Sequence, residues 1–287
     1  MINALTIDVE DYYNLLHRHQ LKRSFPPTEA VVKNTYRLME HFTAYNVHGT
    51  FFVLGEVAEA FPQLIRDIAA AGHELGVHGY SHRQVFNLTP ESFRQEIGKA
   101  KTLIEDITGT KVQGHRAPIF SITPQTDWAL EVLAEAGFRY DSSIFPIKRR
   151  GYGWPGFPLN IHKIKLDNRF TIIEAPLSTI TVLGKKIPVC GGGYLRHLPL
   201  AFTRWAMRRI QQERPVILYM HPYEIEITSK SLDTSGVNRA AALRTLLFHT
   251  LQKKNRHTVE GKLIRLLNEF SFAPLNQVID SVINKQI

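Results

Sequence analysis

Three short stretches carry the side chains from which a hydrolytic centre can be built. The first is Asp8-Val9-Glu10-Asp11, three carboxylates in four residues at the end of a β-rich apolar run over residues 2–9. The second, His78-Gly79-Tyr80-Ser81-His82, holds two histidines four apart, a spacing that turns both rings toward one metal ion if the segment is a helical turn. The third is His221, which closes the apolar run Val216-Ile217-Leu218-Tyr219-Met220. Singly, each has an ordinary explanation: turns favour acidic residues, the chain has 13 histidines, and a lone histidine at a strand end often packs or caps. Together, two histidines and a carboxylate make a three-ligand metal site of the open, catalytic type, a second carboxylate supplies a base, and a separate histidine supplies an acid. Arg116 and Asp141 also follow apolar segments. An arginine beside a carboxylate favours its charged form, and an aspartate beside a histidine fixes its tautomer and raises its pKa.

These residues meet only if the elements carrying them end on one side of the molecule. The spacing predicts strands at residues 2–9, 49–54, 74–78, 112–116, 138–141 and 216–221. Helices are predicted over residues 28–45, 56–71, 89–108, 123–137 and 203–212. Thr28, Thr89-Pro90 and Thr123-Pro124 serve as helix openings, and Gly72, Gly109 and Gly137 as stops. Alternation of strand and helix marks parallel α/β units, in which the C-terminal ends of strands line the site. Residues 151–196, rich in glycine, proline and β-branched side chains, interrupt this alternation.

Composition narrows the classes. With 44% hydrophobic and 21% charged residues, the 287-residue chain is globular rather than disordered. One cysteine, Cys190, excludes an internal disulfide framework and a thiolate-built zinc centre, so any metal is held by histidine and carboxylate. The formal charge of +9 favours anionic partners, but the basic residues are scattered, and no nucleic-acid partner is expected. No apolar run approaches the ~20 residues of a membrane-spanning helix. The first residues lack the plan of a signal peptide. A cytoplasmic protein, or one peripheral at the inner membrane, is expected.

The motifs resemble those of the NodB-like polysaccharide deacetylases, carbohydrate esterase family four. Thr6-Ile7-Asp8-Val9-Glu10-Asp11 resembles motif one, the HGYSH segment motif two, Arg116-Ala117-Pro118-Ile119 motif three, Asp141-Ser142-Ser143-Ile144-Phe145 motif four, and Leu218-Tyr219-Met220-His221 motif five. The likeness covers about residues 3–225. The strings DVEDY, HGYSH, GHRAPIFSIT, YDSSIFPI, the glycine run Gly191-Gly192-Gly193-Tyr194 and MHPYE further resemble the branch found with exosortase-type exopolysaccharide loci.

The resemblance implies an α/β fold, a distorted (β/α) barrel over residues 1–225, with a helical extension over 226–287 packed on it. It implies metal-dependent removal of N-acetyl groups from hexosamines of a polysaccharide, in exopolysaccharide biosynthesis or modification. A divalent ion, expected to be zinc, would sit on His78, His82 and the motif-one carboxylate. Asp8 would be the base, with Arg116 beside it. His221, tuned by Asp141, would be the acid. The Ile119 N–H, after Pro118, would face the oxyanion, and Gly192 and Tyr194 the substrate. The implied partners are an N-acetylated poly- or oligosaccharide and a membrane-bound exopolysaccharide machinery touched peripherally.

Departures from the family pattern leave some roles open. Motif one is longer by two residues, so the metal carboxylate is Glu10 or Asp11. A continuing strand puts Asp8 and Glu10 on one face, whereas a turn after Val9 brings in Asp11, which side-chain type favours. Gly79 replaces a hydroxyl residue and Ile119 an aromatic one. The glycine run admits either a close-lying sugar or a simple turn. Two rivals remain: an allantoinase- or imidase-like hydrolase of small cyclic amides, opposed by the full set of metal ligands, and a non-catalytic polysaccharide- or membrane-binding relative, opposed by intact Asp8, Arg116 and His221. Past the barrel, Leu243, Leu246, Leu247 and Leu251, then Leu263, Leu266, Leu267 and Phe270, recur at helical spacing around a basic run at 253–256. A helix closing the barrel is expected; the rival is a helix lying on an anionic membrane face.

Overall fold

The computed structural model describes residues 1–23, 25–149, 151–166, 170–226 and 235–284. Strand β1 (Asn3–Val9) enters the sheet at once, and its residues are all buried. It is followed by α1 (Tyr12–Gln20), α2 (Glu29–Ala44), β2 (Thr50–Val53), α3 (Gly55–Ala60), α4 (Pro62–Ala70) and β3 (Glu74–Val77). Next come α5 (Pro90–Thr108), β4 (Gly114–His115), α6 (Trp128–Glu135) and β5 (Tyr140–Asp141). The excursion forms an antiparallel pair, β6 (His162–Leu166) with β7 (Phe170–Glu174), and a separate hairpin, β8 (Thr179–Val182) with β9 (Lys185–Pro188). Then follow α7 (Gly192–His197), α8 (Leu200–Ile210), β10 (Ile217–Met220), α9 (Arg239–Lys253), α10 (Arg256–Glu269), β11 (Phe272–Ala273) and α11 (Leu275–Ile283).

The main sheet runs β10-β1-β2-β3-β4-β5-β7-β6, parallel except for edge strand β6. It is a curled half-barrel of an α/β fold. Helices cover the sheet, so Leu5, Ile7, Phe51, Val53, Val77 and Leu218 are buried at 0% exposure, the continuous apolar reading of a parallel sheet. Because β10, β1, β2, β3, β4 and β5 are all parallel, their C-terminal ends share one rim.

Local chemistry explains where elements start and stop. Thr28 caps α2, accepting the Ala30 N–H at 3.3 Å. Thr89 caps α5 in a reciprocal box with Ser92, and Gly109 ends that helix at φ +67. The helix expected over 56–71 is two helices, because Phe61 precedes Pro62 and is driven out of the helical region to φ −133, ψ 62. The helix expected from Thr123 starts only at Trp128: the Thr126 hydroxyl accepts the Thr123 N–H at 2.9 Å, closing a turn first. Helix α1, which carries no strong apolar periodicity, was not anticipated.

The C-terminal stripe is also two helices, broken where Asn255 takes φ +63. Helix α10 buries Val259, Leu263, Leu266 and Leu267. Strand β11 pairs with the start of β1, and α11 buries Leu275, Val278, Ile279 and Ile283. Helix α9 behaves differently: Leu243, Leu246, Leu247 and Leu251 are 43–64% exposed.

Candidate active site

Four strand ends converge on the rim. Asp8 is the penultimate residue of β1 and Glu10 lies just beyond it; His78, Arg116 and His221 follow β3, β4 and β10 directly. Glu10 Oε1 lies 2.8 Å from His78 Nε2 and 3.0 Å from His82 Nε2. One ligand atom from each of these three buried residues lies within 4.8 Å of the others. The two histidines do not share a helical turn. Residues 79–82 form a loop in which Gly79 has φ +73 and His82 φ +56. The left-handed backbone at Gly79 accounts for glycine in place of a hydroxyl residue. The loop is tied down by Glu96 of α5, which accepts the Tyr80 N–H at 3.2 Å, the Ser81 N–H at 3.1 Å and the Ser81 hydroxyl at 2.9 Å.

The donor set fits a divalent transition ion: two imidazole nitrogens and one carboxylate oxygen, buried and convergent. His78 Nδ1 donates to the Arg116 carbonyl at 2.8 Å, which leaves Nε2 free to bind a cation. His82 Nδ1 lies 3.2 Å from His19 Nε2, an outer contact with no sequence signal. Burial pushes the Glu10 carboxyl up, but the charges of His82 and His221 and the hydrogen bonds from His78 and His82 outweigh it and hold it well below the usual range. Glu10 is therefore a carboxylate at neutral pH.

Asp11, favoured by side-chain type, lies elsewhere. Its carboxylate caps α1 by accepting the Asn14 N–H at 2.7 Å and also takes the Thr28 N–H at 2.7 Å and the Thr28 hydroxyl at 2.6 Å. The strand geometry explains this: β1 runs to Val9, so Asp8 and Glu10 face the rim while Asp11 starts the next helix.

Behind the cluster, Arg116 is fully buried and holds Asp8 Oδ1 at 2.8 Å. Its other donors reach Thr6 Oγ1 at 2.7 Å, the Ser142 carbonyl at 3.0 Å and Ser142 Oγ at 2.9 Å, and its guanidinium lies over the Phe52 ring at 4.4 Å. His221 Nε2 stands 4.0 Å from Asp8 Oδ2 and 3.8 Å from Glu10 Oε2.

The expectation that Asp141 tunes His221 is corrected. Asp141 Oδ1 accepts from His115 Nδ1 and Ser143 Oγ at 2.7 Å, and Ser143 Oγ in turn accepts the Ala117 N–H at 2.7 Å. Asp141 thus braces the segment carrying Arg116. Beside it, burial first and then the Asp141 charge drive the Glu174 carboxyl well above its usual range, which favours its protonated form. The carboxylate beside His221 is Glu224, with Oε2 at 3.4 Å from His221 Nδ1 and 3.1 Å from its backbone N–H. Burial opposes the charged imidazole, but Glu10, Glu224 and Asp8 outweigh it and lift the His221 pKa to about 9. Sequence reasoning missed Glu224, although a glutamate three residues past a helix-opening position is a capping pattern. Glu96, remote in sequence, left no such signal.

A cavity of about 670 Å³ opens over these groups, its wall including Ile119, Tyr152, Gly192, Tyr194, Tyr219 and Tyr223. Ile119 is 41% exposed at φ +55, an outlier for a β-branched residue. Pro118 is buried behind it. In the glycine run, a Cβ at Gly191 would lie 2.1 Å from the Tyr219 ring, so glycine there lets the chain cross that ring closely.

The parallel half-barrel and its rim define a carbohydrate esterase family four fold, and the sequence comparisons agree. Residues 11–140 match the family described as polysaccharide deacetylase, and residues 142–280 the one described as a domain of unknown function (DUF3473). Residues 11–140, a little under half of the chain, are thus similar to a polysaccharide deacetylase domain. His78, His82 and Arg116 fall in the first match and His221 in the second, so the rim draws on both. Among curated relatives, the chain is 35% identical over 108 residues to a peptidoglycan deacetylase of Helicobacter pylori, covering 38% of this chain and 36% of that protein. It is 34% identical over 98 residues to a peptidoglycan-N-acetylglucosamine deacetylase of Bacillus cereus, covering 34% and 36%. The chain thus spans about a third of the length of these relatives. Among solved structures, a putative polysaccharide deacetylase from Mycobacterium smegmatis superposes with TM-score 0.62 at 21% identity, over 99% of this chain and 90% of that one. A CE4 family pseudoenzyme from Bacillus anthracis shares the fold at TM-score 0.50 and 15% identity, over 97% and 67%.

Proposed function

We propose that this protein is a divalent-metal-dependent hydrolase that removes N-acetyl groups from hexosamine residues of a glycan. The observation that carries the reading is the convergence of Glu10, His78 and His82 with the Asp8–Arg116 pair and His221 on one rim. Zinc is the ion we assign, because two imidazoles and one carboxylate form a common open catalytic zinc set. When bound by Glu10, His78 and His82, it supplies Lewis acidity to an acyl carbonyl.

This chain's own groups carry the protons. Arg116 fixes Asp8 Oδ1, and Asp8 accepts the proton of the attacking water. The acyl carbon–nitrogen bond breaks, the acyl group leaves as acetate, and His221 protonates the amine nitrogen. Glu224 and Asp8, the neighbouring carboxyls that do not hold the ion, favour the charged His221 imidazole that carries this proton. Glu224 orients its ring through Nδ1. The Ile119 N–H is assigned as a donor to the tetrahedral oxyanion, a role that gives the strained backbone there a purpose. Tyr152 and Tyr194, half-buried in the cavity wall, offer apolar faces with polar edges, suited to sugar rings.

The relatives named above are deacetylases of peptidoglycan by name. We assign the substrate here to an exopolysaccharide or its oligosaccharide precursor, on the branch motifs DVEDY and MHPYE, and place the protein in the cytoplasm or at the inner membrane face, next to the exopolysaccharide machinery. Among the described residues, no helix is long and apolar enough to cross a membrane. The test offers the purified protein N-acetylglucosamine oligomers and a cyclic imide side by side. Acetate release without ring opening supports the reading; ring opening without acetate release overturns it.

A further inference from the structure

Helix α9 is turned inside out relative to an ordinary surface helix. At ~100° per residue, Leu243, Leu246, Leu247 and Leu251 fall within an arc of about 140°. This arc points to solvent, with exposures of 59%, 43%, 58% and 64%. The side facing the protein is polar. Its buried residues are Thr245 and His249, and His249 Nδ1 meets the Tyr12 hydroxyl of α1 at 2.8 Å. Arg239 lies at one end of the leucine arc, Arg244 and Lys253 border it, and Lys254 follows. None of these four cations is in an ion pair among the described residues. The sequence has no aspartate or glutamate between Asp233 and Glu260.

We propose that the leucine face of α9 docks on an anionic lipid bilayer surface. Exposed leucines bordered by unpaired cations on a helix without acids are the pattern of an interfacial helix: the apolar arc enters the acyl boundary and the cations meet the headgroups. A second copy of the chain fits less well, since it would bring Arg239, Arg244, Lys253 and Lys254 against their own equivalents. Phe248 and Gln252 of the same helix line the cavity, so docking holds the cavity mouth beside the membrane. A glycan carried on a lipid or emerging at the bilayer then reaches the rim without leaving the surface. That consequence rests on the deacetylase reading; the docking does not, and its test measures binding without turnover.

The full-length protein is sedimented with vesicles of phosphatidylglycerol and phosphatidylcholine, and with vesicles of phosphatidylcholine alone, at low and high salt. The protein should pellet with the anionic vesicles, remain in solution with the neutral ones, and be released by salt. Leu247→Glu with Leu251→Glu should lower partitioning about tenfold or more. Arg239→Ser with Arg244→Ser should lower it about fivefold per charge removed. These side chains are exposed, so melting temperatures should not change. If the leucine variant melts early, the arginine variant decides. Three results overturn the proposal: no pelleting with anionic vesicles, equal pelleting of the variants, or a solution dimer of the wild-type protein that the leucine substitutions dissociate.

Discussion

Glu10 sits among three imidazoles, whereas the Asp11 carboxylate beside it is taken up by the N–H groups of Asn14 and Thr28. Substitution should separate their roles. Glu10→Gln is expected to lower metal affinity by about 100-fold or more, since losing a ligand exceeds the ~10–100-fold cost of losing an outer-shell partner, as read by calorimetric titration. Asp11→Ala should leave metal binding intact and cost about 1–2 kcal/mol of stability, the loss of a helix cap, as read by denaturant unfolding. At the acid, Glu224→Gln should keep the metal and lower kcat by about 10- to 100-fold, because His221 loses the partner that orients it. Asp141→Asn should instead lower the melting temperature, since Asp141 braces His115 and Ser143; a kcat loss at unchanged stability would return it to the site. Asp8, His78 and His221 were legible in the sequence because each falls at the end of an apolar run, and Arg116 because it opens the Arg116-Ala117-Pro118 motif. The partner of His221 was not, because Glu224 and Asp141 are equally suitable by type and only the chain path after β10 selects between them.

Sequence patterning located most elements but not the junctions that aim side chains into the site. Strands β1, β2 and β10 and the capped helices α2 and α5 stood out through apolar runs, threonine caps and glycine stops. The loop over 79–82 did not: histidines four apart fit a helical turn and this loop equally, and the loop prevails because Gly79 takes a left-handed backbone and Glu96 gathers its N–H groups. Glu96→Ala should therefore weaken metal binding about tenfold, although Glu96 touches no ligand of the ion. At the opposite wall, Gly191→Ala places a methyl group within 2.1 Å of the Tyr219 ring. Overpacking of this kind costs about 1–3 kcal/mol, and a lowered melting temperature would register it. The split between α9 and α10 was hidden because both halves share the same leucine spacing; only the left-handed turn at Asn255 turns one stripe inward and leaves the other outside.

For the molecule as a whole, buried histidines set the response to acid. His73 packs tilted against Phe51, its Nδ1 accepts the Gly49 N–H at 3.2 Å, and burial lowers its pKa to about 4. His249 is likewise lowered to about 4, by burial and by Lys253 and Arg256. An unfolded histidine titrates near ~6.5. Between these values the unfolded chain binds protons that these two folded-state histidines exclude, so the stability they contribute is full above about pH 6.5 and falls as the pH drops toward 4; His221, raised to about 9, acts in the opposite sense at higher pH. The slope is at most about 1.4 kcal/mol per pH unit for each histidine, less where water reaches the ring. Melting temperatures from about pH 7.5 to about pH 4.5 should fall accordingly, and His73→Gln should flatten the curve; parallel curves would contradict this assignment. The central claim is that Glu10, His78 and His82 hold an ion that a deacetylation at this rim requires. It is tested most directly by acetate release from N-acetylglucosamine oligomers, measured on the metal-loaded protein, after exhaustive chelation, and after zinc is restored. Release that disappears on chelation and returns with zinc is the predicted result; unchanged release from the stripped protein, or none from the loaded one, would contradict it.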